Sequence, residues 1–149
     1  MTETADEQRV QTQLPDLEIT LPARAENVAV VRHAVGGLGE VLEVDDQTLS
    51  DIKLAVTEAC TNVVVHAYPD AEGPMGLRAS IDGRSLSLVV ADRGRGIVPR
   101  PDSPGLGLGL PLIATLAESL ELGTGRAEET EVRMIFDLGA PVGDDGVIV

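Results

Sequence analysis

Six apolar side chains recur at helical spacing in the middle of the chain: Leu49, Ile52, Val56, Cys60, Val63 and Ala67. Offsets of three and four residues put them on one stripe, because each helical residue turns the chain by about 100°. Asp45 or Asp46 supplies a capping carboxylate at the start, and Pro69 ends the run. A helix with one long apolar stripe has to lay it on a second layer. The residues that follow read as that layer. Leu77, Ala79 and Ile81 alternate with other residues, Asp82-Gly83 is a hairpin turn, and Leu86, Leu88 and Val90 alternate on the way back. Upstream, Leu17, Ile19 and Leu21 form a short alternating strand. Pro22 then opens a helical segment with Val28, Val31, Val35 and Leu38 on one face. Downstream, Leu110 to Leu120 reads as a helix with Pro111 near its first turn. Val132, Met134, Phe136 and Leu138 make a final strand. Helices and strands are partly segregated along the chain. The expected fold class is therefore α+β, a two-layer sandwich with helices on one face of a mixed, mostly antiparallel sheet.

Composition narrows the possible functions. The chain has 149 residues, about one domain. Its net charge of −14 argues against a general nucleic-acid binder and against docking on anionic lipid. Tyr68 and Phe136 are the only aromatic residues, so no base-stacking platform can be built and the core must be Leu, Val, Ile and Ala. Cys60 is the only cysteine, so no intramolecular disulfide can form, and its place in the apolar stripe makes it a core residue. One Cys and two His do not suffice for a structural zinc site. The longest uncharged run, Ser103 to Ala117, is 15 residues with two prolines and three glycines, too short and too broken to span a bilayer. The N-terminus lacks the order of a signal peptide, and a cytoplasmic location is expected. Residues 1–15 are polar and unpatterned, and Gly139 to Val149 is rich in Gly, Pro and Asp. Both are expected to be disordered or flexible, which leaves one domain over residues 16–138.

Three constellations carry possible chemistry. Glu58, Asn62 and His66 are spaced i, i+4, i+8 on the central helix, beside or opposite the apolar stripe. For Glu58 taken alone a solvated helix face is the readier explanation. Asn is a poor helix former, and one in mid-helix implies a task for its side-chain oxygen, such as holding magnesium. Asp92, Arg93, Gly94, Arg95 and Gly96 follow a strand directly. Two glycines there admit a ligand close to the backbone, and Asp92 can accept from an amino group such as that of adenine; a plain turn is the alternative. Gly105, Gly107 and Gly109 open the helix that follows, where exposed backbone N–H groups suit phosphate. The spacing is neither a dinucleotide fingerprint nor a Walker A loop. Arg93, Arg95 and Arg100 add a local positive patch.

Taken together and in this order, these motifs resemble the GHKL (Bergerat) ATPase fold. Within it they resemble the small bacterial anti-sigma factor serine-protein kinases of the RsbW/SpoIIAB type. The resemblance covers about Leu17 to Leu138. Glu58 to Asn62 resembles the N-box, with His66-Ala-Tyr68 also typical, Asp92 to Gly96 the G1 box, and Gly105 to Gly109 the G2 box. Thr130 falls where the family has the Thr of its Gly-Thr motif. The resemblance implies ATP and Mg2+ as cofactors, with Asn62 on the magnesium and Asp92 on the adenine amino group, assisted by Thr130. Gly94 and Gly96 would admit the adenine, Gly105, Gly107 and Gly109 would wrap the phosphates, and Glu58 would be the general base. It further implies a homodimer that holds a sigma factor and phosphorylates a STAS-domain anti-sigma factor antagonist. Arg24 and Arg32, on the first helical segment, are then candidates for the partner surface. The chain departs from the family twice. Only eight residues separate Gly96 from Gly105, a short lid, and Glu129 stands where the family has Gly. The short lid favours a second reading, an ATP-binding switch that regulates by binding only.

Overall fold

The computed structural model describes residues 14–94, 106–125 and 128–142. Strand β1 is Leu17–Pro22, helix α1 Ala25–Val41 and helix α2 Asp46–Asn62. Strands β2 (Pro74–Asp82) and β3 (Ser85–Asp92) follow, then helix α3 (Leu106–Leu116) and strands β4 (Ser119–Thr124) and β5 (Thr130–Asp137). The strands form one sheet in the order β1-β2-β3-β5-β4, and all four pairings are antiparallel. The α+β sandwich read from the sequence is the observed architecture.

Helix α2 starts as its sequence requires. The Asp45 carboxylate accepts from the Thr48 backbone N–H at 2.9 Å and from the Thr48 hydroxyl at 2.8 Å. Those bonds favour the ionised form and hold the Asp45 carboxyl below its ordinary range. The α-helical part ends at Asn62, and the chain continues through one wider π-helical turn, Val63–Ala67. The apolar stripe survives that change, since Ile52, Val56, Cys60, Val63 and Ala67 are all buried. Burial pushes the Cys60 thiol up to about 12, so this cysteine behaves as a small apolar side chain. Across from the stripe, Leu77, Leu88, Val132 and Met134 present the inner face of the sheet, and Ile113 of α3 completes the core.

Three boundaries differ from the sequence reading. Pro22 belongs to β1, opposite Pro74, and α1 begins at Ala25, where Asn27 Nδ2 donates to the Pro22 carbonyl. The hairpin loop is Gly83-Arg84, with Asp82 still paired to Ser85 and Gly83 at φ 61°. Glycine takes that left-handed conformation without steric cost. The third correction is the largest. Helix α3 runs from Leu106 to Leu116 rather than from Leu110 to Leu120, and Pro111 lies inside it. Leu120 and Leu122 belong to β4, opposite Met134 and Val132. Their alternation was masked by the helical spacing of Ile113, Leu116 and Leu120. Sheet pairing decides the matter, beginning with the Glu118 N–H on the Ile135 carbonyl at 2.8 Å.

Candidate functional site

Asp92 is the last residue of β3, the middle strand of the sheet. It pairs with Met75 on one side and with Thr130, the first residue of β5, on the other. Its side chain has the parity of Leu88 and Val90, so it faces the helices, and it is 2 % exposed. A carboxylate at that depth needs donors. One is the Gly94 backbone N–H, 2.9 Å from Oδ1. Gly94 itself is pressed onto the π-helical turn, where an added Cβ would lie 2.0 Å from the Ala67 carbonyl oxygen. The turn after Asp92 thus requires glycine for close approach rather than for its dihedral angles.

Asn62 ends α2 and is 4 % exposed. Its Nδ2 has no hydrogen-bond partner among the described residues. An unpaired buried amide costs about 1–3 kcal/mol, so its persistence points to a ligand. Gly109, in the first turns of α3, packs directly on this amide, and a Cβ there would meet Nδ2 at 2.8 Å. Glu58 lies one helical turn earlier and is half-buried. Gly107 is in the first turn of α3. The structure therefore brings Asn62 and Gly109 together at the α2–α3 contact, with Glu58 one turn back on α2, and brings Asp92, Gly94 and Thr130 together at the end of β3. Gly96 and Gly105, with Arg95, Arg100 and the short stretch between the two glycines, lie outside the described residues.

The amide oxygen of Asn62 is a hard ligand of the type magnesium takes, and magnesium commonly needs only one or two protein oxygens besides phosphates and water. Asn62 fits that role. Among the described residues no cluster of three His, Cys, Asp or Glu offers an all-protein metal site.

Glu129 turns to the other face of the sheet from the Asp92 carboxylate. Its carboxylate reaches Arg78 at 3.7 Å and Arg93 at 3.8 Å on the outer face of the sheet. Arg78 also binds Glu131 there. The Glu at the family's Gly position is thus matched by cations on the face opposite the helices. Arg24 is exposed and paired with Glu72 at 2.9 Å. Arg32 is half-buried on α1 and makes no ion pair among the described residues.

Tyr68, noted in the sequence only within the His66-Ala-Tyr68 run typical of the N-box, has no role assigned there and has one in the structure. The Tyr68 hydroxyl accepts from the Arg93 backbone N–H at 2.7 Å and donates to the Pro74 carbonyl at 2.5 Å. The signal for it was that His66-Ala-Tyr68 run after Asn62, in a chain with no other tyrosine.

Comparison with known proteins gives the same picture. The model of the histidine kinase-like ATPase domain matches residues 21–136. A serine-protein kinase RsbW of Halalkalibacterium halodurans is 39 % identical over 121 residues, covering 71 % of this chain and 74 % of that one. An anti-sigma F factor of Clostridium kluyveri is 30 % identical over 129 residues, covering 79 % of this chain and 91 % of the other. The crystal structure of the RsbU and RsbW domains of Rv1364c from Mycobacterium tuberculosis superposes with a TM-score of 0.67 at 24 % identity, over 84 % of this chain and 33 % of that chain. A chain in the crystal structure of the SiaB-SiaC complex from Pseudomonas aeruginosa superposes with a TM-score of 0.56 at 14 % identity, over 91 % of this chain and 98 % of that chain. The buried carboxylate at the end of the central strand and the unpaired amide at the end of α2 sit inside the matched span, and this chain belongs to the histidine kinase-like ATPase domain family.

Proposed function

We propose that this protein is an anti-sigma factor with ATP-dependent serine/threonine-protein kinase activity. It holds a sigma factor inactive and phosphorylates a STAS-domain antagonist, working as a homodimer. The observation that carries the reading is the buried Asn62 Nδ2, without a partner among the described residues, one helical turn after Glu58 and packed against Gly109 of α3. The names of the relatives support it, and the net charge of −14 suits a partner with a basic surface, as a DNA-contacting sigma factor has.

Asp92 would accept from the adenine amino group, with Thr130 beside it on β5. Asn62 would hold magnesium through Oδ1 and leave Nδ2 to donate to a phosphate oxygen. Magnesium, when bound, neutralises phosphate charge. Phosphoryl transfer is then mostly a matter of positioning and electrostatics. Glu58 shares the α2 face with Asn62. It would take the proton of the acceptor hydroxyl as the oxygen bonds to the γ-phosphorus and ADP leaves.

The test is transfer of labelled γ-phosphate to co-purified antagonist by wild-type protein and by Glu58→Gln. A positioned base contributes about 10²–10⁴ in rate, so Glu58→Gln should lose at least about a hundredfold in transfer. ATP affinity, measured by calorimetry, should stay near wild type. A wild-type protein that binds ATP and its partner but transfers no phosphate to any co-eluting protein is instead a binding-only switch. The eight-residue interval between Gly96 and Gly105 would be the cause. No heat at millimolar ATP would overturn both readings.

A further inference from the structure

Tyr68 ties three segments together. It leaves the π-helical turn that follows Asn62, and its hydroxyl bridges the first residue of β2 and the residue after Asp92. The ring lies in a slot made by two glycines. A Cβ on Gly73 would stand 2.1 Å from Cε1 of Tyr68, and a Cβ on Gly94 would stand 3.0 Å from its Cδ1. Both bonds from the hydroxyl go to main-chain groups, Pro74 O and Arg93 N–H. A backbone amide one residue beyond the end of a central strand has no ladder partner of its own. Its bond to the Tyr68 hydroxyl ties the turn to β2 and the π-helical turn, beside the Asx-type bond from Gly94 to Asp92 and the packing of Gly94 on Ala67.

We propose that Tyr68 is a positioning residue for adenine recognition, its hydroxyl fixing the Arg93 amide and so the direction in which Asp92 presents its carboxylate. This rests on the reading of Asp92 as the adenine acceptor. Tyr68 acts through Asp92 and touches no nucleotide itself. The hydroxyl donates one way and accepts the other, so phenylalanine keeps the ring in its slot and removes only the bridge.

The experiment compares full-length wild type, Tyr68→Phe and Asp92→Asn in calorimetric titrations with ADP and with IDP, which lacks the adenine amino group. Wild type should prefer ADP. One hydrogen bond of ordinary strength corresponds to about tenfold or less in affinity. Tyr68→Phe should therefore lose about tenfold for ADP and change IDP affinity less than about twofold. Asp92→Asn should likewise lose the preference. Parallel weakening toward both nucleotides would mean a merely structural role and overturn the proposal, as would unchanged ADP affinity. A wild-type chain that binds neither nucleotide removes the underlying reading and the proposal with it. If Asp92→Asn keeps the preference while Tyr68→Phe loses it, the route through Asp92 is wrong. Amide hydrogen exchange on wild type supplies a reading that needs no variant. The Arg93 amide should be protected before any nucleotide is added, and exchange at the rate of an unstructured amide would overturn the proposal.

Discussion

Gly109 and Asn62 leave no room for a methyl group between α3 and α2: a β-carbon on Gly109 would sit 3.1 Å from Oδ1 of Asn62 as well as 2.8 Å from Nδ2. The Asn62 amide is in the last turn of α2 and is buried, so it has little room to withdraw. Gly109→Ala should therefore displace α3 or rotate the amide. The expected cost is about 1–3 kcal/mol, as for overpacking elsewhere, read as a lower midpoint in denaturant. Magnesium-dependent ATP affinity should fall with it. A variant that melts and binds as wild type would show that α3 slides freely over Asn62.

The phenol of Tyr68 should titrate above its ordinary value. Burial is the main cause, the carboxylates of Asp92 and Glu129 add to it, and the Arg93 amide and guanidinium oppose it. A group whose pKa is raised on folding gives stability that is fully present below its unfolded value, about 10. That stability is lost as the pH rises through the folded value. With one tyrosine and no tryptophan, near-ultraviolet absorbance of phenolate reports Tyr68 alone. The midpoint should lie above that of free tyrosine and move down in Asp92→Asn. A midpoint at or below the free value would contradict the buried placement.

Burial should separate two arginine–glutamate pairs that look alike in sequence. Arg78 is 15 % exposed against Glu131 at 12 % and Glu129 at 17 %. Arg78→Ala removes the most enclosed cation from two nearly buried carboxylates, leaving Glu129 with Arg93 and Glu131 with Arg133, each at 3.8 Å, and should destabilise the protein by about 1–2 kcal/mol, under the value for fully buried pairs left without a partner. Arg24 is 49 % exposed against Glu72 at 74 %. Arg24→Ala should change stability by less than about 0.5 kcal/mol. Thermal melts of both variants check the contrast, and equal effects would refute it.

What could be read from the sequence was what has a period. The stripe from Ile52 to Ala67 and the alternation on either side of Gly83 gave α2, β2 and β3 because one face of each is buried. β4 was hidden because Leu120 continues a helical spacing from Ile113 and Leu116, and only its ladder with β5 breaks the tie. Asp92, Gly94 and Asn62 were identifiable as residue types out of place. That Asp92 stands opposite Thr130 could not be counted off, because it depends on β5 entering the sheet between β3 and β4. The bond from the Arg93 amide to Tyr68 joins residues 25 positions apart and leaves no periodic trace. The outward direction of Glu129 follows from its parity with Glu131, once Thr130 is known to open the strand.

The strand order also sets a sequence of events during synthesis. A ribosome delivers β1, β2 and β3 first, and these three can zip as neighbours while the rest of the chain is still being made. β4 emerges next with no one to pair with, since its only ladder is to β5. Until Thr130 to Asp137 has left the exit tunnel, β3 is an open edge with Leu88 and Val90 lacking their cross-strand cover, the kind of edge that recruits a neighbouring chain. A nascent chain stalled before Thr130 therefore carries half of the Asp92 pair and an adhesive flank. The single insertion of β5 completes the pair and seals the flank in the same step.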